Sequence, residues 1–144
     1  MKKILLLLCC MSFAAFGHGQ VPMVEILKRA LLVISETEKD GHQVLLLQVD
    51  VLKKDVRASQ TYTLDSGSKY IVIALGDDRI KDIDLCIYDV NGNKIGCDSD
   101  STNAGVVEVT PKWRGEFKFV VKAYAMEPGY SDGFNALIVI RVAD

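Results

Sequence analysis

Two zones of different hydrophobic periodicity follow one another along the chain. Over residues 22–39, Met23, Ile26, Leu27, Ala30, Leu31 and Ile34 recur at steps of three and four, the period of an amphipathic helix. Pro22 suits its first turn, where no N–H donor is needed. Gly41, after the polar run 35–40, is a stop signal. Val24, Leu32 and Val33 widen the apolar stripe, so the helix is expected either to cover a sheet or to meet a partner. From His42 onward the pattern changes to short apolar or alternating runs divided by turn residues, as in an all-β sandwich or barrel. Strands are predicted at 43–52, 56–64, 68–76, 82–90, 93–98, 105–110, 115–124 and 134–142.

The alternation assigns faces. Ile83, Leu85 and Ile87 point to a core while Asp82, Asp84, Cys86 and Tyr88 oppose them; Phe117, Phe119 and Val121 likewise oppose Lys118 and Lys122. The run Phe134, Ala136, Ile138, Ile140 and Val142 is apolar on its other face too, at Leu137 and Val139. That is the pattern of a central strand covered on both sides, with the helix as the second cover.

Between the strands at 82–90 and 93–98 lies Asn91-Gly92, a strong hairpin signal. A two-residue turn there pairs residues whose numbers sum to 183, so Cys86 faces Cys97. A cross-strand disulfide is expected, with two reduced thiols as the alternative. The same register puts the two cysteines at a hydrogen-bonded position, where Cα atoms stand farther apart than in the alternate pairs.

The N-terminus changes the setting of this domain. Lys2 and Lys3 precede an apolar run at 4–10, and Ala14, Ala15, Gly17 and Gly19 follow, as in a signal peptide. The run is shorter than the ~18 to 20 residues of a membrane-spanning helix, so no transmembrane span is expected. Cleavage after Gly17 and after Gly19 both fit. Cys9 and Cys10 also admit a lipoprotein, although Leu8 or Cys9 stands where a small residue ordinarily precedes the acylated cysteine. The expected division is 1–19 signal peptide, 20–41 helix and 42–144 β-sandwich, in an exported protein, periplasmic or secreted. Of four cysteines only Cys86 and Cys97 remain after cleavage, in keeping with an oxidising compartment. Removing Lys2 and Lys3 from 17 basic residues leaves 15 against 19 acidic ones, a net charge of −4. The remaining Lys53, Lys54, Arg57, Lys112 and Arg114 are scattered, so no nucleic-acid partner is expected.

Several segments together carry a resemblance: Leu64-Asp65-Ser66-Gly67-Ser68-Lys69-Tyr70, then Asp82-Ile83-Asp84-Leu85-Cys86-Ile87-Tyr88-Asp89 with Asn91-Gly92-Asn93, then Trp113-Arg114-Gly115-Glu116-Phe117, then 129–134. Over residues 58–142 the chain resembles the bacterial pre-peptidase C-terminal domain. That family comprises jelly-roll-like β-sandwiches commonly appended to secreted proteases and collagenases. The resemblance implies an antiparallel jelly-roll-like sandwich in an exported protein, and, since some members bind calcium, a calcium site. The helix at 22–39 stands where the family carries a catalytic domain, so the module is expected to act on a separate partner.

Catalysis is disfavoured by the residues themselves. His42 is the secure histidine of the mature chain, no serine lies in Gly-x-Ser-x-Gly, and Ser66 sits in a turn sequence. No catalytic residue is assigned. Asp77, Asp78, Asp82, Asp84, Asp98 and Asp100 gather near turns and are the candidate calcium ligands, since calcium takes six to eight oxygens; the alternative is a solvated face and no cofactor. Tyr124, Met126 and Tyr130 crowd the last connection and form a candidate partner surface, because tyrosine offers an apolar face with a polar tip; the alternative is that they plug the end of the core. Trp113 is expected to anchor the core at the start of a strand. The reading that follows is a non-catalytic binding or accessory module contacting protein, matrix or glycan. Its alternative is an envelope assembly component that self-associates through its helix or a sheet edge.

Overall fold

The computed structural model describes residues 22–143; the signal-peptide reading lies outside the described residues. The first element is helix α1 (Pro22–Lys39). Its end carries a Schellman cap: Gly41, at φ 79°, donates to the Glu38 carbonyl, and the His42 N–H to that of Thr37. Eight strands follow: β1 (Gln43–Lys53), β2 (Arg57–Leu64), β3 (Tyr70–Gly76), β4 (Ile80–Tyr88), β5 (Lys94–Asp98), β6 (Ala104–Val109), β7 (Gly115–Met126) and β8 (Asp132–Arg141). Every predicted strand is present, with ends displaced by up to two residues.

The strands form two four-stranded antiparallel sheets in the orders β1-β8-β3-β6 and β2-β7-β4-β5. Apart from the β4–β5 hairpin, each connection passes from one sheet to the other, which is the jelly-roll path. The inward residues are those the alternation selects: Ile83, Leu85 and Ile87 from β4 and Phe117, Phe119 and Val121 from β7, all nearly or fully buried against Val72, Val107, Leu137 and Val139. On its other face β8 presents Ala136, Ile138 and Ile140 to Ile26 and Ala30 of α1. The helix is the second cover of the central strand.

The buried stripe of α1 is rotated from the predicted one. Ile26, Ala30 and Thr37 are buried and Val33 packs beside them, whereas Met23 is 44% and Leu31 58% exposed. Two contacts fix the rotation: Arg29 donates through Nη1 to the Gly76 carbonyl and through Nη2 to Asn103 Oδ1 at 3.4 Å. Ala30, with the smallest apolar side chain of the helix, is fully buried in the helix–sheet layer.

The hairpin also differs from expectation. The Gly92 N–H donates to the Asp89 carbonyl and the Asp89 N–H to that of Asn93, with φ 80° at Gly92 alone. This is a three-residue loop built on a type I turn with a left-handed glycine, not a two-residue turn needing positive φ at Asn91 as well. That loop pairs Tyr88 with Lys94, one residue off; a bulge at Ile95 then restores the register, pairing Ile87 with Gly96 and Cys86 with Cys97. The cysteines are bridged, with Cα atoms 4.1 Å apart. That is the close spacing of a non-hydrogen-bonded antiparallel pair, and the expected hydrogen-bonded position is corrected accordingly.

Candidate basic and aromatic binding face

The outer face of the β2-β7-β4-β5 sheet is open to solvent, and strand pairing arranges its side chains in rows. One row carries Arg57, Lys122 and Asp84; the next Ser59, Val120 and Cys86; the next Thr61, Lys118 and Tyr88. Arg57, Ser59, Lys118, Val120 and Tyr88, with Asp89, Val90 and Gly92 of the hairpin loop, line a groove of about 560 Å³. Its floor is half apolar and its rim carries two cations. Lys122 pairs with Asp55 at 3.2 Å, but among the described residues neither Arg57 nor Lys118 has an acidic partner. Along β7 the same face continues through Lys122 to Tyr124, whose ring lies 4.7 Å from the Lys122 ammonium.

The wall of the groove is held stiffly. Asp89 is 6% exposed and accepts from Asn91 N at 2.9 Å, Asn93 N at 2.8 Å and Asn93 Nδ2 at 2.8 Å. Those donors, the Asn93 side chain foremost, hold its carboxyl below the usual range. The Cys86–Cys97 bridge ties the same hairpin across its strands.

The six candidate calcium ligands do not converge; among the described residues no three acidic, histidine or cysteine side chains gather as a metal requires. Asp77 is 1% exposed and engaged by Arg79, at 2.7 Å from Nη2 and 2.9 Å from Nε, and by the Phe134 N–H at 2.9 Å. Asp78 faces Glu25 of α1, and burial followed by that neighbour raises the Glu25 carboxyl. Asp82 and Asp84 are neighbours on the β4 face; burial and then Asp84 raise Asp82, one of whose oxygens is enclosed without a partner. Asp98 turns to the sheet edge, accepting from Asp100 N at 3.0 Å and from Val106 N at 2.8 Å.

Of the expected aromatic surface, Tyr124 and Tyr130 are 59% and 51% exposed, while Met126 packs on the core. Trp113 is 44% exposed and stacks on buried Phe117 at 6.0 Å between centroids, so it caps the core from outside and does not anchor it from within. His42 Nδ1 accepts from the Ala143 N–H, and Ser66 lies in the exposed turn after β2.

Sequence reasoning missed Arg57, Ser59, Lys118, Val120 and Tyr88 as a set. Alternation already put Lys118 and Tyr88 on wet faces; that β2, β7 and β4 lie side by side is set by contacts far apart along the chain.

No protein-family model matches the chain, and neither does any curated protein sequence. Solved structures do. The pre-peptidase C-terminal domain of a collagenase from Bacillus anthracis superposes with a TM-score of 0.53 at 16% identity, over 65% of this chain and 87% of that one. The fold is that of the pre-peptidase C-terminal domain. PliG of Aeromonas hydrophila, a periplasmic inhibitor of g-type lysozyme, superposes with a TM-score of 0.54 at 12% identity, over 71% of this chain and 89% of that one. At such identities the likeness to both is one of fold.

Proposed function

We propose that the chain is an exported, non-catalytic binding module whose partner, a protein or a glycan, docks on the outer face of β2, β7 and β4. The observation that carries the reading is the groove in which Arg57 and Lys118, without an acidic partner among the described residues, flank Tyr88 and Val120. A part-apolar floor with a few placed polar groups suits a recognition site. These two cations supply charge that a carboxylate-bearing partner neutralises. The stiff hairpin wall lowers the ordering cost of binding. The disulfide suits an oxidising compartment. One fold neighbour, PliG, is a periplasmic inhibitor of g-type lysozyme.

The test uses the protein recovered after export, with Arg57→Glu/Lys118→Glu as the comparison. Two partners are offered: purified peptidoglycan in a co-sedimentation assay, and a g-type lysozyme in an assay of lytic activity. The reading expects a response to at least one of them, weakened tenfold or more by the double variant. Absence of both responses removes the reading, and a response that the double variant leaves intact moves the site off this face.

A further inference from the structure

The opposite face of the molecule carries a second surface that the sheet groove does not explain. Helix α1 lies over β8 and β1 and reaches only the near side of β3. The outer face of β3 is only half covered, with Ile71 and Ile73 partly buried, and β6 beyond it is open, with Val106, paired to Ile73, 47% exposed. Between this strip and the helix runs a groove of about 460 Å³ whose apolar lining includes Leu32, Val33, Ile71, Ile73 and Ile140. Leu32 itself is 68% exposed and Leu31 58%, on helix faces that an isolated domain would make polar.

The charges beside Leu32 indicate what covers it. Glu25, Lys28, Leu32, Glu36 and Lys39 lie along one stripe of α1, and the four charged residues stand four and seven positions either side of Leu32. Two such helices laid antiparallel across a two-fold axis at Leu32 place Lys28 opposite Glu36, Glu25 opposite Lys39, and leucine on leucine. A parallel arrangement would set like charges together. The symmetric antiparallel pairing is self-complementary, as an isologous interface must be. Its cost is small, because the Glu36–Lys39 pair it rearranges, 2.6 Å long, is 70% and 65% exposed.

The geometry points to a two-fold dimer in which the α1 helices of two copies of this chain pack antiparallel about Leu32, leucine on leucine, with the apolar strip of each copy beside the seam. The dimer leaves both β2-β7-β4 faces outward on opposite sides, so each copy keeps its own groove free for a partner. The pairing does not depend on the groove being functional: loss of binding in the Arg57→Glu/Lys118→Glu protein leaves the dimer unaffected.

Light scattering after size exclusion and sedimentation equilibrium on the exported chain test it directly. The wild type is expected to be a dimer at tens of micromolar. Leu32→Glu yields a monomer, with an unchanged far-UV circular dichroism spectrum as control for folding, since the side chain is exposed in the single chain. Lys28→Glu weakens association at least tenfold, and Lys28→Glu/Glu36→Lys returns it to within about threefold of the wild type. A monomeric wild type overturns the proposal, as does a dimer indifferent to Leu32→Glu. A charge exchange that fails to restore pairing overturns the antiparallel register.

Discussion

Asp77 shows how far one carboxylate's role depends on residues distant in sequence. Read locally, Asp77-Asp78 after an apolar strand is a solvated turn or a metal ligand. In the fold its oxygens accept from the Arg79 backbone and guanidinium and from the N–H of Phe134, 57 residues onward, while Arg79 lies 5.1 Å from the Phe134 ring. Asp77→Ala leaves the half-buried guanidinium without its main partner and is expected to cost about 3 kcal/mol, measured by urea unfolding; a loss below about 1 kcal/mol would show that Asp132, 3.3 Å from Arg79, suffices. Glu25 gives a pH signature. Burial, then Asp78, raises its carboxyl above the ordinary 4.5 while Arg29 partly offsets them. The folded chain therefore binds that proton more tightly than the unfolded one. The stability it contributes is present below pH ~4.5 and lost as pH rises through the raised value. Asp82, raised by burial and by Asp84, adds a change of the same sign. In the monomeric Leu32→Glu protein, Glu25→Gln is expected to raise the melting temperature at pH 7 and to reduce, without abolishing, the decline from acid to neutral pH; an unchanged decline in calorimetry would contradict this.

At the scale of elements, what a local pattern determines was legible and what a neighbour determines was not. The strands at 82–90 and 115–124 show their inward residues because period-two alternation is a property of the strand alone. The presence of α1 and its glycine cap were equally plain. Its rotation was not: a stripe including Met23 and Leu31 and one centred on Ile26, Ala30 and Val33 are both apolar in sequence. The choice rests on Arg29 reaching Gly76 and Asn103, far along the chain. The β4–β5 hairpin shows two departures that cancel, the three-residue loop shifting the register by one and the Ile95 bulge shifting it back, so the cysteine pairing was expected correctly from the wrong turn. The bridge closes a loop of sequence separation 11, which in the chain-entropy description contributes roughly 2–3 kcal/mol. Cys86→Ser/Cys97→Ser is expected to lower the unfolding free energy by about that amount; equal stabilities with and without the bridge in denaturant titration would contradict it.

For the whole molecule, the sandwich and its jelly-roll character were expected from turn spacing and from the family resemblance, but the strand order that creates the binding face belongs to the three-dimensional path. Arg57 and Lys118 are 61 residues apart in sequence and read as scattered surface charge. They share a groove because β2 pairs with β7, which pairs in turn with β4. The acidic residues show the converse, gathered in sequence and divided among separate tasks in the fold. One apolar face lies beneath and beside α1 and one mixed basic and aromatic face lies opposite, so the two ways of meeting a partner stand on opposite sides of one core. The most direct test of the binding face is amide chemical-shift mapping of the isotope-labelled protein titrated in turn with soluble peptidoglycan fragments and with a g-type lysozyme. The partner that binds is expected to perturb a contiguous set centred on Arg57, Ser59, Tyr88, Lys118 and Val120. Perturbations confined to α1 or to the Trp113 end of the sandwich would contradict it.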